Sequence, residues 1–279
     1  TIQGISLLKD ISPRTLDLLL SYAEQLSANC ITYLLLDRGI KVQYCDSRSI
    51  IITDNTFGNA TIKYIQTNEK VYNYFSKSTC AQIVTGFIGS TEKGEKTTLG
   101  LNCSDYTASI IASILNAEKI EFWTAVGGFM TADPSKVEKA LTIENLLFEE
   151  AIELSVLGAS PISTGSIRHA ALHSIPIQIK NNLMPNATGS IISTITQHKS
   201  AVTGVSSESN ISLVRIQAPG LSNLQQFCRR IFSTLSDSFI TVLLLSQGSQ
   251  NSLCLAVKPS DAENTKSLLE KEFASEIKE

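Results

Sequence analysis

The first forty residues carry apolar side chains at helical spacing. Ser12 followed by Pro13 predicts a helix N-terminus, because a serine hydroxyl caps free backbone N–H groups and proline suits the first helical position. The apolar positions that follow are Leu16, Leu19, Leu20, Ala23 and Leu26. This spacing predicts one apolar face of an amphipathic helix. A second helical stretch is expected to end near Asp37, just before Gly39.

Between residues 42 and 195 the pattern alternates between short β-rich runs and helical segments. Strands are predicted at residues 42–45, 50–53, 83–84, 119–124 and 175–179, and helices at about 106–115, 143–157 and 164–172. Phe57-Gly58-Asn59 is predicted to be a turn. Strands that alternate with helices in this way predict an α/β domain with a largely parallel sheet.

A polar stretch at residues 194–203 is predicted to link this part of the chain to a second domain. After it we expect a half-buried strand at 211–217, a helix at 222–235, strands at 239–245 and 252–257, and a helix at 260–273. That β-α-β-β-α order is typical of a ferredoxin-like α+β module that lacks its final strand. The two domains are therefore expected at residues 1–195 and 200–279.

Composition narrows the classes of function. The 279 residues carry 26 acidic and 23 basic side chains, a net charge of −3. A mildly acidic chain without a dense basic block is a poor nucleic-acid binder, and no apolar run is long enough to span a membrane. The six cysteines lie far apart without a C-x-x-C pair, so we expect no zinc site or disulfide scaffold, and a cytoplasmic location. A start at Thr1 rather than Met suggests a piece of a longer protein.

Two loops are candidates for binding chemistry. Residues 97–105 bring Ser104 and Asp105 to a predicted helix N-terminus, where free N–H groups and the helix dipole favour a phosphate or a carboxylate. Residues 123–135 follow a predicted strand and contain two adjacent glycines and a Thr-Ala-Asp-Pro run. Open α/β sheets bind ligands at the carboxyl ends of their strands, which is where both loops are expected. The alternative, that Ser104 and Asp105 only cap a helix and the glycines only form turns, stays open.

Several strings occur in a distinctive order and spacing. In the first domain they are Gly86-Phe87-Ile88-Gly89-Ser90-Thr91, Thr97-Thr98-Leu99-Gly100, Ser104-Asp105-Tyr106-Thr107-Ala108 and Thr131-Ala132-Asp133-Pro134. In the second domain they are Gly204-Val205-Ser206-Ser207 and Leu245-Ser246-Gln247-Gly248-Ser249. The first set resembles the signatures of aspartate kinases, and the second resembles the ACT regulatory module of the same family. The likeness covers nearly the whole chain and is most similar to the kinase part of bifunctional aspartate kinase–homoserine dehydrogenases.

The resemblance implies an amino acid kinase-like fold, an open and largely parallel α/β sheet with flanking helices, joined to an α+β ACT domain. It implies that a phosphoryl group passes from ATP, bound with Mg²⁺, to L-aspartate, giving 4-phospho-L-aspartate. It also implies feedback regulation by an amino-acid effector, threonine or lysine, and a homodimer formed through the ACT domain.

The resemblance also implies roles for individual residues. Glu24 would hold the substrate ammonium, Phe87 would pack on the amino acid, and Asp105 would be the catalytic residue at the reacting groups. The other implied substrate-binding residues are Thr98 and Ser104, the nucleotide-binding residues are Thr124, Gly128, Met130, Ser135 and Lys180, and the effector contacts are Gln247, Ser249 and Asn251. For the effector contacts, a polar turn at a strand end is an equally good interpretation. No metal ion held by the protein alone is expected.

Three departures from the family pattern lower the expected activity. Leu101 replaces an arginine that would grip a substrate carboxylate, and a charge-assisted contact of that kind contributes about 1.5–3 kcal/mol. Ala125 and Gly127 replace two carboxylates of the nucleotide loop, and Ser135 replaces an arginine. The family's amino-terminal Lys-Phe-Gly-Gly-Thr-Ser strand is absent from the sequence. We therefore expect weak or absent turnover, with a catalytically inactive pseudokinase or an effector-binding regulatory subunit as the alternative.

Overall fold

The chain divides into two compact units, residues 1–206 and residues 207–279. The computed structural model describes residues 11–100, 103–156, 158, 160–195, 201–217, 223–238, 240–247 and 252–274. The division lies just after the polar stretch that predicts a linker. The elements below are numbered in chain order among the described residues.

The first unit alternates strands and helices. Its helices are α1 (Pro13–Asp37), α2 (Tyr64–Phe75), α3 (Ser104–Ile114), α4 (Phe148–Val156) and α5 (Thr164–Leu172). Its strands are β1 (Val42–Cys45), β2 (Ile52–Thr53), β3 (Ala81–Val84), β4 (Ile88–Thr91), β5 (Lys96–Thr98), β6 (Ile120–Thr124), β7 (Asn145–Leu147), β8 (Ile177–Asn181) and β9 (Ser190–Ser193). The predicted strand at 42–45 and the predicted helix at 164–172 have these bounds in the structure.

Parallel pairing dominates the sheets of the first unit. The strand orders are β1-β3, β2-β4-β5 and β6-β8-β9-β7. The β1/β3, β2/β4, β6/β8 and β7/β9 pairs are parallel, whereas β4/β5 and β8/β9 are antiparallel. In the β6/β8 pair, Trp123 lies opposite Lys180 and Thr124 lies opposite Asn181. This topology confirms the predicted α/β class with a mainly parallel sheet.

Two apolar clusters form the core of the first unit. The larger one joins β6, β8 and β9 to helices α4 and α5 through residues such as Phe122, Leu146, Ile167 and Ile179. The other surrounds β2 and α3, with Ile51 and Ile110 both fully buried. Because α3 packs on one cluster and its C-terminal end leads into β6 of the other, this helix connects the two parts of the unit.

The spacing of the leucines predicts that they form the buried face of helix α1. The structure shows that this prediction is wrong. Its buried residues are Asp17, Ser21, Ala28 and Thr32, while Leu16 and Leu26 are 42% and 67% exposed. The two predicted helical stretches also form one continuous helix. Small polar side chains let α1 lie close to β5, where the Asp17 carboxylate accepts hydrogen bonds from the buried N–H and hydroxyl groups of Thr98. Satisfying those polar groups decides which face of the helix is buried.

The helix predicted at 143–157 is wrong in its first part. Residues Asn145–Leu147 form strand β7, which pairs with β9, and the helix begins only at Phe148. Leu146 is fully buried in this strand. Pairing with a distant strand outweighs the local helical pattern, because tertiary contacts override propensity in short segments. The hairpin of β4 and β5 and the strand β9 are absent from the sequence-based prediction.

The second unit has the element order β-α-β-β-α. Its elements are β10 (Ser212–Gln217), α6 (Leu224–Asp237), β11 (Leu244–Gln247), β12 (Ser252–Val257) and α7 (Pro259–Glu272). The sheet is antiparallel in the order β10-β12-β11. The core contains Ile231, Leu255 and Phe273, all with no exposed surface. Strand β11 begins at Leu244, five residues later than the start of the strand predicted at 239–245.

Candidate functional site

The N-terminus of α3 lies against the loop that joins β3 to β4. An added Cβ at Gly86 would be 2.8 Å from Ser104 Cβ and 3.0 Å from Ser104 Cα. Glycine at position 86 therefore allows a backbone approach that no other residue permits. Ser104 is the first helical residue and remains exposed at this end of the helix.

Phe87 adopts a left-handed backbone conformation with φ of 68°. Such a conformation costs a non-glycine residue about 1–3 kcal/mol and is kept only where surrounding contacts enforce it. Here Phe87 N–H donates to Thr107 Oγ1 at 3.1 Å, and Leu99 N–H donates to Phe87 O at 2.9 Å. The half-buried Phe87 is thus fixed between α3 and the residue that follows β5.

Asp105 lies in the first turn of α3 and connects it to α5. Its Oδ2 accepts a hydrogen bond from Ser163 N–H at 3.1 Å, and Ser163 is the N-cap of α5. Burial raises the pKa of Asp105, although hydrogen bonds from Ser163 N–H and the Ser104 side chain oppose that shift. A carboxyl group with a raised pKa at a helix N-terminus is a candidate for chemistry, since perturbed groups cluster at functional sites.

Thr98 is held by Asp17, a residue that the sequence analysis does not include in the site. Thr98 Oγ1 donates to Asp17 Oδ1 at 2.8 Å, and Thr98 N–H donates to Asp17 Oδ2 at 3.0 Å. Gly58 N–H donates to the same Oδ2 at 2.9 Å. The signal in the sequence is a lone carboxylate among leucines, two helical turns before Glu24 and on the same face.

Glu24 is half-buried in the middle of α1. Burial raises the pKa of its carboxyl group. Within the part of the chain that the structure describes, the Glu24 carboxylate makes no hydrogen bond or ion pair. A half-buried carboxylate of this kind is stabilised when a cation binds beside it.

The carboxyl ends of β6 and β8 carry two predicted nucleotide residues, Thr124 and Lys180. Lys180 Nζ lies 4.7 Å from the ring centroid of Trp123, a cation–π contact. Next to it, Thr124 Oγ1 donates to Val126 O at 2.7 Å, and Thr124 O accepts from Asn182 N–H at 2.9 Å. This edge of the sheet is where an open α/β fold binds its ligand.

The three other predicted nucleotide residues lie on the loop after β6. Gly128 has φ of 132° and is buried against Ser190, which leaves no room for a side chain. Met130 is half-buried and forms an isolated β-bridge with Thr142. Ser135 N–H and Oγ donate to Asp133 Oδ1 at 2.9 and 2.7 Å, and these bonds lower the pKa of Asp133.

The structure thus forms two clusters within the first unit. Phe87, Thr98, Ser104 and Asp105 lie around the N-terminus of α3, and Thr124 and Lys180 lie on neighbouring strands at the ends of β6 and β8. Gln247 is exposed at the end of β11 in the second unit, whereas Ser249 and Asn251 lie outside the described residues. Among the described residues, no His, Cys, Asp or Glu side chains are grouped to hold a metal ion, and no helix has the length and apolarity to cross a membrane.

Comparison with protein families gives this architecture a name. The amino acid kinase family matches residues 1–181, which is more than half of the chain and includes both clusters. The chain belongs to the amino acid kinase family. Within that family, the bifunctional aspartokinase/homoserine dehydrogenase of Haemophilus influenzae is 33% identical over 246 residues. That match covers 87% of this chain and 30% of the relative.

Solved structures of amino acid kinases support the same relationship. Aspartokinase III of E. coli, crystallised with aspartate and ADP, has a TM-score of 0.85 and 28% identity. The match covers 98% of this chain and 64% of the aspartokinase III chain. The same enzyme with lysine and aspartate gives a TM-score of 0.72 and 29% identity, over 96% of this chain and 61% of its own. The chain thus resembles aspartokinases over nearly its full length and spans less than two thirds of each of these proteins.

Proposed function

We propose that this chain is an aspartate kinase-type phosphotransferase that transfers the γ-phosphoryl group of ATP to the side-chain carboxylate of L-aspartate. The reaction forms an acyl phosphate bond, breaks the β–γ phosphoanhydride bond and releases ADP. The observation that carries the proposal is the assembly of Phe87, Ser104 and Asp105 at the N-terminus of α3. The similarity to aspartokinases supports it.

The aspartate would bind between two kinds of group. Glu24, half-buried and without an ionic partner among the described residues, offers a negative charge to the substrate ammonium. Phe87, fixed by its two backbone hydrogen bonds, offers an apolar surface. Free N–H groups at the start of α3, together with the Ser104 hydroxyl, favour the substrate carboxylate that accepts the phosphoryl group.

The nucleotide would bind at the carboxyl ends of β6 and β8 and along the loop that holds Gly128, Met130 and Ser135. Lys180 supplies a positive charge there, which phosphoryl transfer requires, because catalysis depends on neutralising and positioning the phosphates. Mg²⁺ typically keeps several waters and binds through phosphates and one or two carboxylates, so it needs no cluster of protein ligands. Asp133, already bonded to Ser135, is the carboxylate that this loop presents.

We also propose that residues 207–279 form an ACT-type regulatory module. The β-α-β-β-α order and the antiparallel sheet with two helices support this assignment. The module would bind threonine or lysine near Gln247, Ser249 and Asn251, and would join two chains into a homodimer. The E. coli aspartokinase III structure with lysine supports an amino acid as the effector. Light scattering with and without each amino acid tests the dimer.

The test of the main proposal is binding followed by turnover. Thermal unfolding is measured with Mg-ATP, aspartate, threonine and lysine added separately, since a ligand that binds the folded state raises its stability by about 2.7 kcal/mol at a hundredfold excess over Kd. We expect shifts with Mg-ATP and with aspartate, and loss of the aspartate shift in Glu24→Gln. Aspartate-dependent ADP release is then expected below the ordinary kinase range of about 1–100 s⁻¹, because Leu101 replaces the arginine.

The contrary result is equally clear. A shift with threonine or lysine and none with Mg-ATP or aspartate overturns the kinase proposal and favours a regulatory subunit. Glu153→Gln is the matched control for Glu24→Gln, since Glu153 is an exposed carboxylate on helix α4 of the same unit.

A further inference from the structure

We propose that Asp17 is a positioning residue for aspartate binding, acting through Thr98 and through the turn that contains Gly58. This inference rests on the proposed function, because it concerns the same substrate site. The family resemblance assigns no role to Asp17, and no part of the site described above requires it to touch the substrate.

The Asp17 carboxylate is fully buried and accepts three hydrogen bonds. Oδ2 accepts from Gly58 N–H at 2.9 Å and from Thr98 N–H at 3.0 Å, and Oδ1 accepts from Thr98 Oγ1 at 2.8 Å. All three donors are uncharged, and no Lys, Arg or His among the described residues forms an ion pair with Asp17. A buried carboxylate is costly unless its oxygens are satisfied, so these bonds strongly favour one arrangement of the three segments.

Those three segments are far apart in sequence. Asp17 belongs to α1, Gly58 to the turn after β2, and Thr98 to the end of β5. Gly58 has φ of 85°, which lets the turn direct its N–H at the carboxylate. Two residues further on, Ala60 N–H donates to Thr98 O at 2.8 Å, so the turn is attached to Thr98 from a second side. Asp17 is thus the point at which helix, turn and strand are joined.

The segment held by Asp17 leads directly to the predicted substrate residues. Leu99, next to Thr98, donates its N–H to Phe87 O, and so holds the left-handed Phe87 loop. At Gly100 an added Cβ would lie 2.8 Å from Asn59 Oδ1, so the turn also packs on the start of the loop towards Ser104. A displacement at Thr98 is therefore passed on to Phe87.

Thr98 itself has little access to solvent. Its side chain is 1% exposed, and its single hydroxyl hydrogen is donated to Asp17. Its contribution to aspartate binding is therefore to hold the backbone that follows it. On this basis Asp17 and Thr98 act as one unit, and removing either should have the same effect as removing both.

The test compares Asp17→Asn, Thr98→Val and the double variant with the wild-type chain. An asparagine amide at position 17 cannot satisfy the three donors, because one of its two polar atoms is itself a donor. We expect each single variant to raise the Kd for aspartate by about tenfold, the double variant to raise it no further, and the Kd for Mg-ATP to stay unchanged. Thr32→Val is the control, since Thr32 is buried on the same helix and its hydroxyl donates to Ala28 O within that helix.

A second readout does not depend on substrate. Hydrogen exchange at the Gly58 and Thr98 amides should quicken in Asp17→Asn and stay unchanged in Thr32→Val. The inference is overturned if Asp17→Asn binds aspartate like the wild type. It is also overturned if this variant weakens the binding of aspartate and of Mg-ATP equally, as a general loss of stability would. If the wild-type chain binds no aspartate at all, the proposed function fails and this inference fails with it, even where the exchange result is as expected.

Discussion

The two candidate clusters are held in place by different kinds of contact. The cluster around the N-terminus of α3 is the proposed aspartate side. Its side chains are fixed by residues distant in sequence, such as Thr98 by Asp17 and Asp105 by Ser163. The ends of β6 and β8 and the loop after β6 form the second cluster, the proposed nucleotide side. There, the bonds of Thr124 to Val126 and of Ser135 to Asp133 span only two residues and lie at the surface. The aspartate side therefore depends on the integrity of the whole unit, whereas much of the nucleotide side is organised by local turns.

Two glycines allow the sharpest comparison of these regions. Gly128→Ala would force a Cβ against Ser190 at a φ of 132°, so we expect a loss of about 2–5 kcal/mol in the free energy of unfolding and weakened Mg-ATP binding. Gly86→Ala would crowd Ser104 instead, with a loss of about 1–3 kcal/mol and weakened aspartate binding. Chemical denaturation and titration of each ligand measure both effects.

Gly165→Ala provides the control for these glycine variants. It lies in α5, and an added Cβ would meet only Tyr106 Cδ2 at 3.8 Å, so we expect a gain of about 0.5–1 kcal/mol. If Gly86→Ala and Gly128→Ala each weaken the binding of aspartate and of Mg-ATP equally, the two clusters do not behave as separate regions.

Leu101 lies outside the described residues, and Leu101→Arg should supply the guanidinium that the family resemblance implies for aspartate binding. A guanidinium binds a carboxylate in bidentate fashion, so we expect the Kd for aspartate to fall by about tenfold or more, with the Kd for Mg-ATP unchanged. Calorimetric titration measures both constants. Leu101→Lys supplies a charge without the bidentate geometry and should gain less. An unchanged aspartate Kd in Leu101→Arg would contradict the idea that this residue limits binding.

Acidification should lower the stability of the folded state through His169, which packs against Tyr106 of α3. Its Nε2 lies 2.9 Å from Ser113 Oγ, and its ring is surrounded by Tyr64, Tyr106 and His173. Burial and the neighbouring His173 lower the pKa of His169 below 6.5, so the folded state favours the neutral ring. The contribution of neutral His169 to stability is therefore fully present above the unfolded pKa near 6.5. It decreases as the pH falls through that value towards the folded pKa.

Melting temperatures measured between about pH 5 and 8 check this expectation. His169→Gln should flatten the profile below pH 6.5, the ordinary histidine value. The exposed His173 is the matched control, and His173→Gln should keep most of the decrease. A decrease that persists in His169→Gln would show that other groups cause it.

The smallest expected effect is on the nucleotide side. Lys180→Met keeps the length of the side chain and removes its charge, and an exposed charge contact is worth about 0.2–1 kcal/mol, so Mg-ATP binding should weaken by at most about fivefold. Trp123, the single tryptophan, reports on this contact by its fluorescence. Lys119→Met, at the other end of β6 and paired with Glu121, is the control. Unchanged quenching by Mg-ATP in Lys180→Met would place the nucleotide elsewhere.

Local patterns predicted elements whose own sequences agree with their setting. Strand β1, which contains Val42 and Tyr44, and helix α5, which is capped by Ser163, are predictable, because the residues that favour each element lie within the segment or directly before it. The family strings also point to Phe87, Ser104 and Asp105, which lie near the N-terminus of α3. Local patterns do not predict strand β7, because its partner β9 lies more than forty residues further along the chain.

The sequence by itself determined the α/β class, the element order of the second unit and the family, since these follow from periodicity and from residue strings read along the chain. Only the tertiary structure decided which face of α1 is buried and that Asp17 belongs with Thr98, 81 residues away. The physical reason is that a buried carboxylate must find donors, and those donors belong to a strand and a turn that the helix reaches only after folding.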